Sequence, residues 1–199
     1  MRGALALSLL LLSGAALLAA GAALAVTPPA RPAPQPAAPK VESEEKLFAQ
    51  LKQCGSAEDA HPIEARLQTL FRASNSPSVD LLMTRVLAAQ GAGDDKIARQ
   101  LVNAITQIAP NYAEGWHVRA TMEQGADDDT AALVSLQKTV LLNPRNFTAL
   151  SELADMLQDY GDKAGALKLY RRALDLDPQL DGAAHKVREL TQSVEGRDI

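Results

Sequence analysis

Residues 147–180 read FTALSELADMLQDYGDKAGALKLYRRALDLDPQL. In the first half, Leu150, Leu153, Ala154 and Leu157 recur at intervals of three and four, which sets them on one face of a helix. After Gly161-Asp162, the residues Ala166, Leu167, Leu169, Tyr170, Ala173 and Leu174 follow the same spacing. Gly161 suits a left-handed close to the first helix, and Asp162 suits the cap of the second. Pro178 falls where the second helix must stop, because proline cannot continue the hydrogen-bond ladder. The stretch predicts a single helix–turn–helix–turn unit.

That unit recurs upstream. Pro110, Pro144 and Pro178 are evenly spaced, one unit length apart, and each follows an apolar residue by two places: Ile108, Leu142 and Leu176. Ala98, Ala132 and Ala166 each precede a proline at the same separation, and Ala65 and Pro77 keep it. The last pair extends the array to a fourth, degenerate unit, in which the stretch from Phe48 to Ala65 is longer by one than its counterparts.

A period of about 34 residues and the residue types together resemble the tetratricopeptide repeat. Leu150, Leu153, Ala154, Leu157, Gly161, Ala166, Tyr170, Ala173 and Pro178 fall on the family's signature places, as do Trp116, Ala120, Ala132, Leu136 and Pro144 one unit earlier. Leu82, Gly93, Ala98 and Pro110 match in the unit before that. The resemblance implies an all-α fold, a right-handed superhelical solenoid with units at about 44–78, 79–112, 113–146 and 147–180. Small alanines let paired helices cross closely, and each unit buries its apolar faces against its neighbours. Residues 181–195 read as a capping helix with Ala184, Val187, Leu190 and Val194 on one face. Val86, Glu123, Arg85 and Arg119 depart from the family pattern.

The averages conceal a different N-terminus. The chain has 199 residues, 47 % of them hydrophobic, with a net charge of −4. Residues 4–24 contain no charge, follow Met1-Arg2 and end near Ala23-Leu24-Ala25. Residues 1–26 therefore read as a secretory signal peptide, or alternatively as a membrane anchor, since the uncharged run is long enough to span a bilayer. Both readings place the rest outside the cytoplasm, in a bacterial periplasm, soluble or tethered to the inner membrane. Residues 27–43 form a Pro/Ala-rich linker, and residues 27–40 alone hold six of the eleven prolines. Such a segment is an extended spacer rather than part of a core; a PxxP ligand at Pro29 and Pro32 is the sharper alternative.

Little points to catalysis or metal binding. The acidic balance argues against a nucleic-acid partner. A single cysteine excludes an intramolecular disulfide framework and a multi-thiolate zinc site. Cys54 shares a helical stripe with Leu47 and Leu51 and reads as a buried, inert thiol. His61, His117 and His185 are far apart, and His117 is expected on an exposed helix face. Asp127-Asp128-Asp129 reads as a helix cap, because Ala132 and Lys138 stand where a calcium loop needs Gly and Glu. Phosphate loops, nucleophile elbows and zinc-protease motifs are missing, so no enzyme activity, cofactor or metal is expected. Asn146-Phe147-Thr148 is a glycosylation sequon, of consequence only in a eukaryotic secretory pathway.

Binding is what the resemblance implies. In the family the first helix of each unit lines a concave groove for an extended peptide or a helix. Matched position by position, the groove comprises Asp80, Met83 and Leu87, then Glu114, His117, Thr121 and Gln124, then Ser151, Asp155 and Gln158. Asn111, Tyr112, Arg145 and Asn146 add the corners between units, and Met83, Leu87 and Tyr112 would accept apolar side chains. The clamp that some members use for a terminal carboxylate is missing, since Met83, His117 and Ser151 occupy one row of it. The expected function is a non-enzymatic interaction scaffold of the cell envelope. A self-associating homo-oligomer and an anchored assembly factor, for example in cytochrome c maturation or cell-wall machinery, are the alternatives.

Overall fold

The computed structural model describes residues 43–196. The apolar segment 1–26, read as signal peptide or anchor, and the linker as far as residue 42 lie outside the described residues. The described residues form nine α-helices and no strand. These are α1 (Glu44–Leu51), α2 (Ala57–Phe71), α3 (Pro77–Gly91), α4 (Asp95–Ile108), α5 (Ala113–Gln124), α6 (Asp129–Leu142), α7 (Phe147–Asp159), α8 (Lys163–Leu176) and α9 (Ala183–Glu195). None is long and apolar enough to cross a membrane.

From α3 onward the sequence period governs the backbone itself. Asp94, Asp128 and Asp162 cap α4, α6 and α8, each side chain accepting a hydrogen bond from an N–H of the first turn. One residue earlier, Gly93, Asp127 and Gly161 all adopt the left-handed conformation that reverses the chain. Asp127 does so at φ 58° without being glycine, a backbone that a short polar side chain tolerates best. The helices α4, α6 and α8 end at Ile108, Leu142 and Leu176, two residues before each proline. The hairpins α3/α4, α5/α6 and α7/α8 are the three regular units, and α9 packs on α8 through Ala183 and Leu190.

Packing follows the residue types. Ala98, Ala120, Ala132, Ala154, Ala166 and Ala173 are completely buried where helices cross. Gly115 permits a similar approach of α5 to α4: an added methyl group would lie 2.9 Å from Ile105 Cγ2 and 3.2 Å from Tyr112 Cδ1. In most helix interiors a Gly→Ala change stabilises. Gly115→Ala is instead expected to destabilise by about 1 kcal/mol, because overpacking outweighs the propensity gain. A thermal or urea unfolding curve shifted upward would contradict this.

The N-terminal hairpin departs from serial stacking. Ala65, aligned above with the buried alanines, is exposed. Pro77 does not follow the end of α2 by two residues but starts α3 as its first residue, where its missing N–H costs nothing. The Ala65–Pro77 spacing thus does not mark a repeat boundary. Leu47, Phe48 and Leu51 of α1, with Ala60 and Leu67 of α2, bury themselves against Phe147, Leu150 and Ala173 of the last unit. Phe48 meets Phe147 edge-on at 6.4 Å between centroids. Arg145 binds Glu44 at 3.1 Å and Glu45 at 2.7 Å, and its guanidinium lies 4.1 Å from the Phe48 ring centre. At eight residues α1 is about 12 Å long, too short to form a full repeat hairpin.

Candidate functional site

The hairpin fixes which part of the expected groove is open. Near its start, α2 meets the corner before α9, where His61 pairs with Asp181 at 3.2 Å. At its end, the Arg72 carbonyl accepts a 2.6 Å hydrogen bond from the Tyr112 hydroxyl, and Arg72 Nε lies 3.7 Å from Glu114. The stretch of α2 between these contacts spans about 16 Å, so the helix lies along the row of inter-unit corners. Tyr112, Glu114 and Arg145, all expected to face a ligand, are engaged by α1 or α2. Asn146 is buried as the cap of α7, its side chain accepting from the Ala149 N–H. Asn111 stays exposed and borders a cavity of about 470 Å³ between the α2–α3 connection and the α4–α5 corner.

Two expectations need correcting. Met83 is 3 % exposed and packs with Val86, Val102 and Ile105, so it is core and offers no surface to a ligand. Its helix turns this position inward because the neighbouring helices cover it. His117 is not on an exposed face either. Its side chain is 15 % exposed and is held between Glu152 of α7 at 2.9 Å and Glu114 at 3.5 Å. Burial alone would lower the imidazole's proton affinity; hydrogen bonds and charge from Glu114 and Glu152 outweigh it and push the pKa up to about 10. His117 is therefore a cation tying α5 to α7, with Arg72 adding α2 through Glu114.

The far half of the face remains open. Leu87 is 44 % exposed and Thr121 is exposed, while Gln124, Ser151 and Gln158 are half-buried. Thr121 returns its hydroxyl to the His117 carbonyl at 3.2 Å, and Asp155 accepts a short hydrogen bond from Tyr170. Lys186 of α9 reaches toward Asp155 at 3.8 Å and Gln158 at 3.5 Å. Matching to the family's groove positions passes over Gln90, although its signal is plain: Gln90, Gln124 and Gln158 each stand one repeat apart. Gln90 and Thr121, with Arg99 and Met122, line a cavity of about 140 Å³ between the second and third hairpins. An amide both donates and accepts, so such a row can follow a peptide backbone without reading its side chains.

The remaining candidates are structural. The Cys54 thiol is half-buried and donates to the Gln50 carbonyl at 3.5 Å. Burial, then the charges of Asp59, Asp177 and Glu64, raise its pKa and disfavour the thiolate. Asp128 caps α6 and Asp127 supplies the turn before it. His185 is exposed, 4.0 Å from Glu189.

No protein-family model matches the chain. A tetratricopeptide-repeat-containing protein of Rhizobium etli is 27 % identical over 152 residues, covering 76 % of this chain and 74 % of that protein. Among solved structures, the first tetratricopeptide domain of Spaghetti (RPAP3), bound to an HSP90 peptide, matches with a TM-score of 0.53 and 19 % identity. It covers 59 % of this chain and 93 % of that one. The type III secretion chaperone SycD of Yersinia enterocolitica, in complex with a peptide of the translocator YopD, gives 0.52 and 12 %, covering 59 % and 95 %. Both structural likenesses concern the fold.

Proposed function

We propose that this chain, whose fold and curated relative are both of the tetratricopeptide-repeat kind, is a non-enzymatic scaffold of the cell envelope that binds an extended segment of a partner protein. The observation that carries the reading is the open half of the face, where Leu87, Thr121 and Ser151 accompany the row Gln90, Gln124 and Gln158. Two proteins of the same fold are seen with peptides bound, an HSP90 peptide in one and a YopD peptide in the other. The envelope assignment rests on residues 1–26, and the linker 27–43 would hold the array away from a membrane. Cross-linked capture with the full-length chain tests it. Leu87→Lys with Thr121→Lys should abolish capture of a specific envelope protein, whereas Val134→Lys on the outer face of α6 should not. Equal capture by both variants would contradict the groove.

A second reading has its own support. Leu81 of α3 and Ile97 of α4 are large apolar side chains left exposed on the first regular hairpin, and a second copy could cover them. Mass measurements across a concentration range decide this, since a monomer throughout removes self-association.

A further inference from the structure

The hairpin α1/α2 meets the array through a pair of acids as well as through apolar side chains. Glu64 of α2 faces Asp177, the cap residue just after α8. Asp177 is completely buried, and its Oδ1 accepts from the Gln179 N–H at 3.0 Å. Its other oxygen, Oδ2, and Glu64 Oε1 are both buried, and neither receives a hydrogen bond. Two facing carboxylates are acceptors only, so they repel when both are ionised and attract when a proton sits between them.

The surroundings reinforce the conflict. From the α8–α9 connection Asp181 opposes ionisation of both acids; from α2 itself His61, paired with Asp181, favours it. Cys54 lies in the α1–α2 turn beside the pair, held by a hydrogen bond from Gln179 to its carbonyl, and Asp59 of α2 adds its charge to the Cys54 surroundings.

We propose that α1/α2 is a detachable latch on the repeat array, docked when Glu64 and Asp177 share a proton and released when both are ionised. Release uncovers Phe147, Leu150 and Arg145 and frees Tyr112 and Glu114 from α2, so the corner half of the groove opens beside the half already exposed. The latch is a property of the chain alone and does not depend on the identity of any partner.

The sign follows from the carboxyl chemistry. Burial first, then the charge and hydrogen bonding of Asp177, push Glu64 up to about 7 from an ordinary 4.5. The docked state thus holds a proton that the undocked state gives up, so docking is strongest below pH 4.5 and weakens as pH rises to about 7.

Hydrogen exchange on the full-length chain at pH about 5 and about 8, corrected for intrinsic rates, tests the latch, with α1/α2 protection expected to fall by roughly fiftyfold. Protection in α5–α8 should fall only as the His117 pairing weakens, and by the same factor in wild type and in variants of the latch. Glu64→Gln supplies an amide donor to Asp177 and should keep the hairpin protected at both. Asp177→Asn, which retains the acceptor for Gln179, should do the same. Equal wild-type protection at the two pH values would overturn the proposal. So would an undiminished loss of α1/α2 protection in both variants.

Discussion

Phe147→Ala is expected to lower the free energy of unfolding by about 3–5 kcal/mol. The ring is 1 % exposed and lies where four helices meet. It starts α7, packs edge-on to Phe48 of α1, and shares a cluster with Leu67 of α2 and Ala173 of α8. Truncation leaves a cavity whose walls are already fixed by other packing, so collapse recovers little. It also removes the aromatic partner under Phe48, and Arg145 stacks on that same ring. The loss should therefore concentrate in α1/α2. Hydrogen exchange should show the hairpin opening before the three repeat hairpins, and urea unfolding should report the total. A loss below about 1 kcal/mol, with α1/α2 still protected, would mean that the hairpin does not pack on the last unit.

His117→Ala should cost about 3 kcal/mol below neutral pH, because it strands two carboxylates that have one buried cation between them. Glu114 keeps a longer contact to Arg72, whereas Glu152 loses its 2.9 Å partner. The pH dependence carries the more specific signature. The folded pKa is raised, so the imidazolium contributes fully below the ordinary 6.5 and its contribution is lost as pH rises to about 10. The difference in stability between wild type and variant should thus narrow steadily across that interval. Urea unfolding of both proteins at its two ends measures it, and a constant difference would show that the imidazole is not charged in the folded chain.

Much of the fold was legible because a repeat writes its backbone requirements into the chain more than once. A proline, a capping aspartate and a left-handed turn residue at a shared interval leave little freedom for the three hairpins from α3 to α8. The same pattern misreads the first unit. The Ala65–Pro77 spacing matches the repeat, but spacing alone does not record whether a proline ends one helix or begins another. What α1 and α2 pack against depends on contacts between residues far apart in the chain, such as Glu45 and Arg145, which no local pattern encodes. The site divided in the same way. Leu87, Thr121 and Gln158 stand on α3, α5 and α7, one to the first helix of each regular unit. Burial of Met83 and the two acids around His117 are consequences of neighbouring helices. The Gln90–Gln124–Gln158 row is present in the spacing throughout, yet a family's ligand positions do not single it out.

On the proposed function, a partner protein lies along the open face of α3, α5 and α7. Site-specific photo-cross-linking in the native cell measures this most directly, with the probe placed in turn at Leu87, Thr121 and Gln158, and at Val134 and Leu141 on the outer side of α6. Adducts to one partner from the first three positions and none from the last two is the predicted result. Adducts from Val134 and Leu141 alone, or adducts only to a second copy of the chain, would contradict it.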